Sequence, residues 1–243
     1  MHLDEHPPAR ARRHLSEMVE RRRAGEPLQY VLGRWGFRTL ELLVDRRVLI
    51  PRPETEVVVG EALTEAARLG SPVLAVDLGT GSGAIALSLA AELAQAEVWA
   101  TDVSADALSV ARANLAGLGG YAAPRVRLVE GRWFGALPDE LCGRVDLVIS
   151  NPPYIATDEE LPDEVAGWEP AGALRAGPTG LEAIEEIVVE APRWLCRPGV
   201  LALELAPHQA DRARAVARGA GFGDVDVRPD LAGRPRVLVA RIG

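Results

Sequence analysis

The chain has 243 residues, 48% hydrophobic and 26% charged, a balance that supports one large globular domain or a domain with an appendage. Its formal net charge of −8 argues against a nucleic-acid coat, which needs a basic surface. All 27 basic residues are Arg, so a lysine Schiff base and a Walker-type phosphate lysine are both excluded.

Residues 7–24 predict one charged helix, opened by Pro7 and Pro8 and closed by Arg21-Arg22-Arg23 ahead of Gly25. Leu40-Glu41-Leu42-Leu43-Val44 and Val48-Leu49-Ile50 predict two short strands turning at Asp45-Arg46-Arg47. Pro51-Arg52-Pro53 stops that pattern, and a helix is expected over 54–68. From residue 72 strands and helices alternate. Strands are expected at 73–76, 97–101, 126–129, 145–149, 200–205, 224–228 and 236–241, and helices at 84–93, 105–115, 181–195 and 209–219. This is the signature of a doubly wound α/β fold with a mostly parallel, seven-stranded sheet. The chain thus divides into 1–70, a short helix, hairpin and linker helix, and 71–243, the α/β domain. The long segment 151–178 directly follows a buried strand and reads as a functional loop.

Only Cys142 and Cys196 occur, far apart, which predicts a reducing compartment and a cytoplasmic protein. His2, His6, His14 and His208 form no metal-ligand spacing with cysteines or carboxylates, so no metal is expected. No stretch of about 18 apolar residues is free of charge, so no membrane span is expected.

The first βα junction reads Asp77-Leu78-Gly79-Thr80-Gly81-Ser82-Gly83-Ala84. Its glycines let backbone approach a ligand closely while turning into a helix N-terminus. Asp102, at the end of the next strand, is placed to accept hydrogen bonds from the two ribose hydroxyls of a nucleoside. Gly79, Gly81 and Ala84 also satisfy the dinucleotide pattern, so a nicotinamide dehydrogenase stays open on these residues alone. Asp77 favours the other choice: a carboxylate beside the glycines repels a pyrophosphate and suits the sulfonium and ammonium of S-adenosylmethionine.

The strand over 145–149 runs into Asn151-Pro152-Pro153-Tyr154. Successive prolines fix φ and hold Asn151 extended at the carboxyl edge of the sheet. The Asn151 side-chain oxygen and the Pro152 carbonyl together offer two acceptors to a planar –NH₂ group, and Tyr154 offers a flat face beside it. An amide nitrogen is a poor nucleophile; gripping its hydrogens next to an electrophilic methyl supplies orientation and charge stabilisation. The same chemistry serves an adenine or cytosine amino group, although the acidic charge makes nucleic acid an unfavoured substrate.

Asp77–Gly83, Asp102 and Asn151–Tyr154 together resemble class I S-adenosylmethionine-dependent methyltransferases. With Gly25–Gly33, Val48–Glu56, Trp168-Glu169-Pro170 and Gly180-Leu181-Glu182, the chain is similar to the HemK/PrmC-type protein-(glutamine-N5) methyltransferases from about residue 24 onward. The resemblance implies a Rossmann-like fold and methylation of a protein glutamine, that of the Gly-Gly-Gln motif in peptide chain release factors or one in a ribosomal protein. It implies that Gly79, Thr80, Gly81, Ser82, Gly83 and Asp102 contact the cofactor and that Trp133 flanks its adenine. Asn151 would bind the substrate amide beside the methionine part of the cofactor, Pro152, Pro153 and Tyr154 would complete the clamp, and Arg52 and Glu54 would line the cleft. The family carries an N-terminal helical bundle where only about 25 residues precede the resemblance here, which predicts a shortened recognition region. A monomer whose partner is its protein substrate is expected.

Overall fold

A computed structural model describes residues 8–243. The first helix, α1, runs Ala9–Arg23; Pro7, expected at its head, lies outside the described residues. None of its side chains is buried. Gly25 breaks the chain at φ +90°, and Arg21 ties the break shut by gripping Glu26 at 2.6 Å and the Tyr30 carbonyl at 3.0 Å. A short helix α2, Leu28–Leu32, leads into β1, Arg34–Phe37, which pairs antiparallel with β2, Leu40–Leu43.

The hairpin therefore exists and the strand expected at 40–44 is present as β2, but its partner and the turn differ from those expected. Its turn is at Arg38, φ +50°, and its first strand is the Arg34-Trp35-Gly36-Phe37 stretch. Val48–Ile50 forms no strand: Val48 closes a turn by donating its N–H to the Asp45 carbonyl at 3.1 Å. Val48 and Ile50 are apolar because they pack with Tyr30, Val44, Ala107 and Val110, and the backbone here is served elsewhere: the Tyr30 hydroxyl donates to the Val48 carbonyl at 2.5 Å. Helix α3, Pro53–Leu69, begins with Pro at its first position, where no N–H is missed. Its face of Val58, Val59, Ala62 and Ala66 packs on the central sheet.

That sheet is built from β3 Leu74–Leu78, β4 Glu97–Asp102, β5 Val126–Glu130, β6 Val145–Ser150, β9 Leu195–Glu204, β10 Asp224–Pro229 and β11 Pro235–Ile242, the short β7 Ile155–Ala156 and β8 Arg175–Gly177 pairing outside it. The order is β10-β11-β9-β6-β3-β4-β5, parallel except at β11, which runs antiparallel to both neighbours. Alternate side chains feed opposite faces: Ala75, Leu147, Ile149 and Ala202 join α3 and α4 (Ala84–Glu92) on one side. Val76, Val148, Leu201 and Leu203 join α8 (Glu182–Trp194) and α9 (Ala210–Gly219) on the other. With both faces covered, the strands read as continuous apolar runs. The seven-stranded, mostly parallel α/β fold expected from the sequence is present, with α5 (Ala105–Leu118) following β4. β9 begins at Leu195 rather than 200, because Leu195 pairs Val145 before a register shift. The segment 151–178 carries β7, β8 and two single-turn helices, α6 Asp163–Ala166 and α7 Ala171–Leu174.

α4 is buried along most of its length, so its last carbonyls need partners other than water. Arg125 serves the end of α4 and the turn after it, donating to the Ala90, Leu93 and Ala96 carbonyls at 2.5–2.8 Å. Arg125→Met removes every one of these donors and is expected to cost about 2 kcal/mol in urea unfolding; a loss below about 0.5 kcal/mol would mean that water replaces the guanidinium there.

Candidate active site

The sheet reverses its winding between β3 and β6, and ligands bind α/β sheets outside the carboxyl ends of strands at such a point. Register brings three loops level there: Asp77 pairs Ala100 on β4 and Ile149 on β6, so the chain following β3, β4 and β6 opens into one crevice.

The loop after β3 turns on three glycines in the left-handed region, Gly79 at φ +75°, Gly81 at +56° and Gly83 at +85°. Gly79 and Thr80 both donate their N–H to the Thr101 carbonyl, at 2.8 and 2.9 Å. Asp77 is fully buried beneath the loop. One carboxylate oxygen accepts from the Thr80 hydroxyl at 2.6 Å and from the Ala86 N–H at 3.1 Å. It thus caps α4, whose own N-cap, Gly83, has no side chain to do so. The other oxygen has no partner. Burial pushes this carboxyl up to about 7, the Thr80 and Ala86 donors restrain the rise, and the Asp102 charge adds to it.

Asp102 ends β4 with one oxygen accepting from the Gly81 N–H and the other from the Ser104 N–H, both at 2.9 Å. Burial raises this carboxyl as well. Trp133 sits at φ +44°, a costly conformation for a bulky residue. Its ring lies against Gly79, where an added Cβ would come within 3.1 Å of Cζ3. Gly79, Gly81, Asp102, Gly131, Trp133 and Asn151 share a cavity of about 370 Å³, in the range of small-molecule sites.

A smaller cavity of about 180 Å³ lies beyond Asn151, lined by Leu49, Arg52, Tyr154, Ile155, Leu161 and Val165 among others. Asn151 and its neighbours Leu49 and Ala173 belong to the walls of both. The Asn151 amide donates to the Thr55 hydroxyl at 3.0 Å, and that hydroxyl donates to Glu204 at 2.6 Å. Tyr154 also turns its hydroxyl onto Glu204, at 3.3 Å, while its carbonyl accepts from Gln209 at 2.9 Å.

The expected residues are thereby sorted. Gly79, Gly81, Asp102, Trp133, Asn151 and Pro153 line the larger cavity; Asn151, Tyr154 and Arg52 line the smaller. Asp77, Thr80 and Ser82 are buried in the loop itself, Gly83 turns into α4, and Pro152 is buried at the corner. Arg52 pairs with buried Glu169, which also accepts from the Ile50 N–H at 3.2 Å. Glu54 lies outside both cavities and pairs with Arg234 at 3.4 Å. Thr55, Glu204 and Gln209 were not singled out from the sequence. Glu204 had one available signal, a lone acid within the apolar run of β9; Thr55 had none. Among the described residues no group of three or more His, Cys, Asp or Glu is arranged to hold a metal, and no helix is long and apolar enough to cross a membrane.

Residues 1–33 match the PrmC N-terminal domain and residues 61–166 the methyltransferase small domain. The release factor glutamine methyltransferase of Bordetella pertussis is 45% identical over 222 residues, spanning 91% of this chain and 80% of that protein. That of Deinococcus radiodurans is 43% identical over 226 residues, spanning 93% and 78%. Of solved structures, a methyltransferase from Pyrococcus furiosus shares the fold with a TM-score of 0.60 at 19% identity, covering 96% of this chain and 99% of that one. The ribosomal protein L11 methylase of Lactobacillus delbrueckii subsp. bulgaricus gives 0.56 at 20% identity, covering 79% and 80%. At that identity to the two Bordetella and Deinococcus enzymes, over nine-tenths of its length, the chain belongs to the release factor glutamine methyltransferase family.

Proposed function

We propose that this protein transfers a methyl group from S-adenosylmethionine to the side-chain amide nitrogen of a glutamine, that of the Gly-Gly-Gln motif in a peptide chain release factor. The observation that carries this reading is the position of Asn151 in the walls of two cavities, one of about 370 Å³ that we assign to the nucleoside cofactor and one of about 180 Å³ that we assign to the substrate side chain. The chain's residues fit the donor. Asp77 is a buried carboxylate with an unpartnered oxygen and a carboxylate, not a cation, as its charged neighbour, which suits a positively charged ligand. Asp102 keeps lone pairs facing the cavity for a ribose diol, and Trp133 lends a flat face beside Gly79.

Bound there, S-adenosylmethionine supplies a methyl group made electrophilic by its sulfonium. The chain's residues do the rest by placement. Asn151 Oδ1 and the Pro152 carbonyl accept the two amide hydrogens, which orients the nitrogen and stabilises the positive charge it gains. The Tyr154 ring covers one face of the amide. With the cofactor bound, its S–CH₃ bond would break as the N–CH₃ bond formed, and the extra proton on nitrogen would then leave to water. Both cysteines are unpaired, consistent with a reducing compartment such as the cytoplasm.

The test is mass spectrometry of the Gly-Gly-Gln peptide of a release factor after incubation with the enzyme and S-adenosylmethionine. A gain of one methyl on glutamine is expected; methyl label found only in an accompanying nucleic-acid pool would replace this reading with amino methylation of a base. Asp102→Ala should weaken S-adenosylmethionine binding by about 1–3 kcal/mol, roughly 5- to 150-fold, through loss of hydrogen bonds to a charged group. Calorimetric affinity equal to wild type would remove the ribose role.

A further inference from the structure

We propose that Thr55 and Glu204 form a relay that fixes which way the Asn151 amide faces, making both of them positioning residues for methyl transfer. The inference rests on the reading of Asn151 as the group that grips the substrate amide.

The direction of each hydrogen bond follows from how many protons each group has. A threonine hydroxyl has one proton and can donate to only one neighbour. With Glu204 Oε2 at 2.6 Å, the Thr55 proton points to Glu204. Only lone pairs remain on Thr55 Oγ1, so its other neighbour must be a donor, and Asn151 Nδ2 fills that place at 3.0 Å. An Asn151 whose NH₂ is committed to Thr55 turns Oδ1, an acceptor, to the opposite side. The flipped amide would set NH₂ against the NH₂ of a glutamine, two donors face to face, and no transfer would follow from that pose.

Nothing local in the chain requires this arrangement. Thr55 is in the first turn of α3, Glu204 is the last residue of β9, and Asn151 follows β6. Glu204 is fully buried among Leu203, Leu205 and the rest of an apolar strand, where an acid costs stability and leucine would not. Burial raises its carboxyl above the ordinary range, with Glu54 adding to the rise. Arg236 and the hydroxyls of Thr55 and Tyr154 work against it. Both carboxylate oxygens are spent on side chains of the site, Oε2 on Thr55 and Oε1 on Tyr154. A costly buried acid whose partners are all at the substrate corner is explained by the orientation it enforces there.

Steady-state kinetics on a glutamine peptide, with calorimetric S-adenosylmethionine affinity, tests this in Thr55→Val, Thr55→Ser and Glu204→Gln. Thr55→Val keeps the shape and loses the hydroxyl; kcat should fall about 10- to 100-fold with cofactor affinity within about twofold of wild type. Thr55→Ser restores the hydroxyl and should recover most of the lost kcat. Glu204→Gln relieves a buried charge, so it folds; its amide can donate or accept towards Thr55, the order of the relay is lost, and kcat should fall severalfold. Wild-type kcat in Thr55→Val or in Glu204→Gln overturns the relay. If the unaltered enzyme methylates some other amine instead of glutamine, and Thr55→Val loses that activity with the cofactor still bound, the proposed substrate is wrong and the relay stands.

Discussion

Replacing Asn151 with alanine is expected to abolish methyl transfer, a loss of about 10³-fold or more in kcat, while S-adenosylmethionine still binds. Alanine leaves Pro152 and Pro153 to hold the corner, so the backbone acceptor survives and the side-chain acceptor is removed. Without Oδ1 the substrate amide is held by one hydrogen bond and rotates about it, and the nitrogen loses its alignment with the methyl group. Asn151 is half-buried and makes one side-chain hydrogen bond, so folding should be little affected. Asn151→Asp should fare no better: the proton of Thr55 points to Glu204, so an aspartate oxygen would meet a lone pair on Thr55 and be pushed out of place. Single-turnover transfer of labelled methyl measures the chemical step apart from product release, and calorimetry measures the cofactor. A tenfold loss of affinity with normal single-turnover rates would make Asn151 a cofactor ligand and remove it from the clamp.

The two halves of the chain were not equally legible in the sequence. From residue 72 onward each strand is covered on both faces, so Val76, Leu147, Val148 and Leu201 all read as apolar and the strand–helix alternation stands out. The glycine turn and the Asn-Pro-Pro corner were visible because their chemistry lies in consecutive residues with restricted backbone. The first strand of the hairpin was not legible because Arg34-Trp35-Gly36-Phe37 lacks a clean alternation, whereas Val48-Leu49-Ile50 has the apolarity of a strand and uses Val48 and Ile50 to pack against α5 and Leu49 to line the site. The Arg52–Glu169 pair and the Thr55–Glu204 contact were out of reach for a different reason. Their partners lie 117 and 149 residues apart, and only the packing of α3 and of the 151–178 segment against the sheet brings them together. Glu54 illustrates the converse: next to Thr55 and two residues from Arg52 in sequence, it pairs with Arg234.

Asp77→Asn is expected to make the protein more stable above neutral pH and a poorer binder of S-adenosylmethionine. The Asp77 carboxyl titrates near 7 in the folded chain and near 3.9 when unfolded. Between those values the folded state holds a proton that the unfolded state has released, so stability is greatest below about pH 4, declines as pH rises towards 7 and is flat above. Three pH units at about 1.4 kcal/mol each set an upper limit of roughly 4 kcal/mol on that decline. Asparagine keeps an oxygen to accept from Thr80 and Ala86 and cannot ionise, so the decline disappears. Its NH₂ replaces the unpartnered oxygen and finds no acceptor, at a cost of about 1 kcal/mol, which leaves a net gain of up to about 3 kcal/mol at pH 8 and a small loss at pH 4. On the proposed function the carboxylate is retained for a cationic ligand. Binding a sulfonium should lower the Asp77 pKa and release a proton near neutral pH, visible as a calorimetric heat that changes with the ionisation enthalpy of the buffer. Thermal unfolding of the two proteins at pH 5 and pH 8 checks the first half of the argument. Parallel pH profiles would mean that Asp77 is already ionised in the folded chain, and unchanged cofactor affinity in Asp77→Asn would reduce Asp77 to a cap on α4.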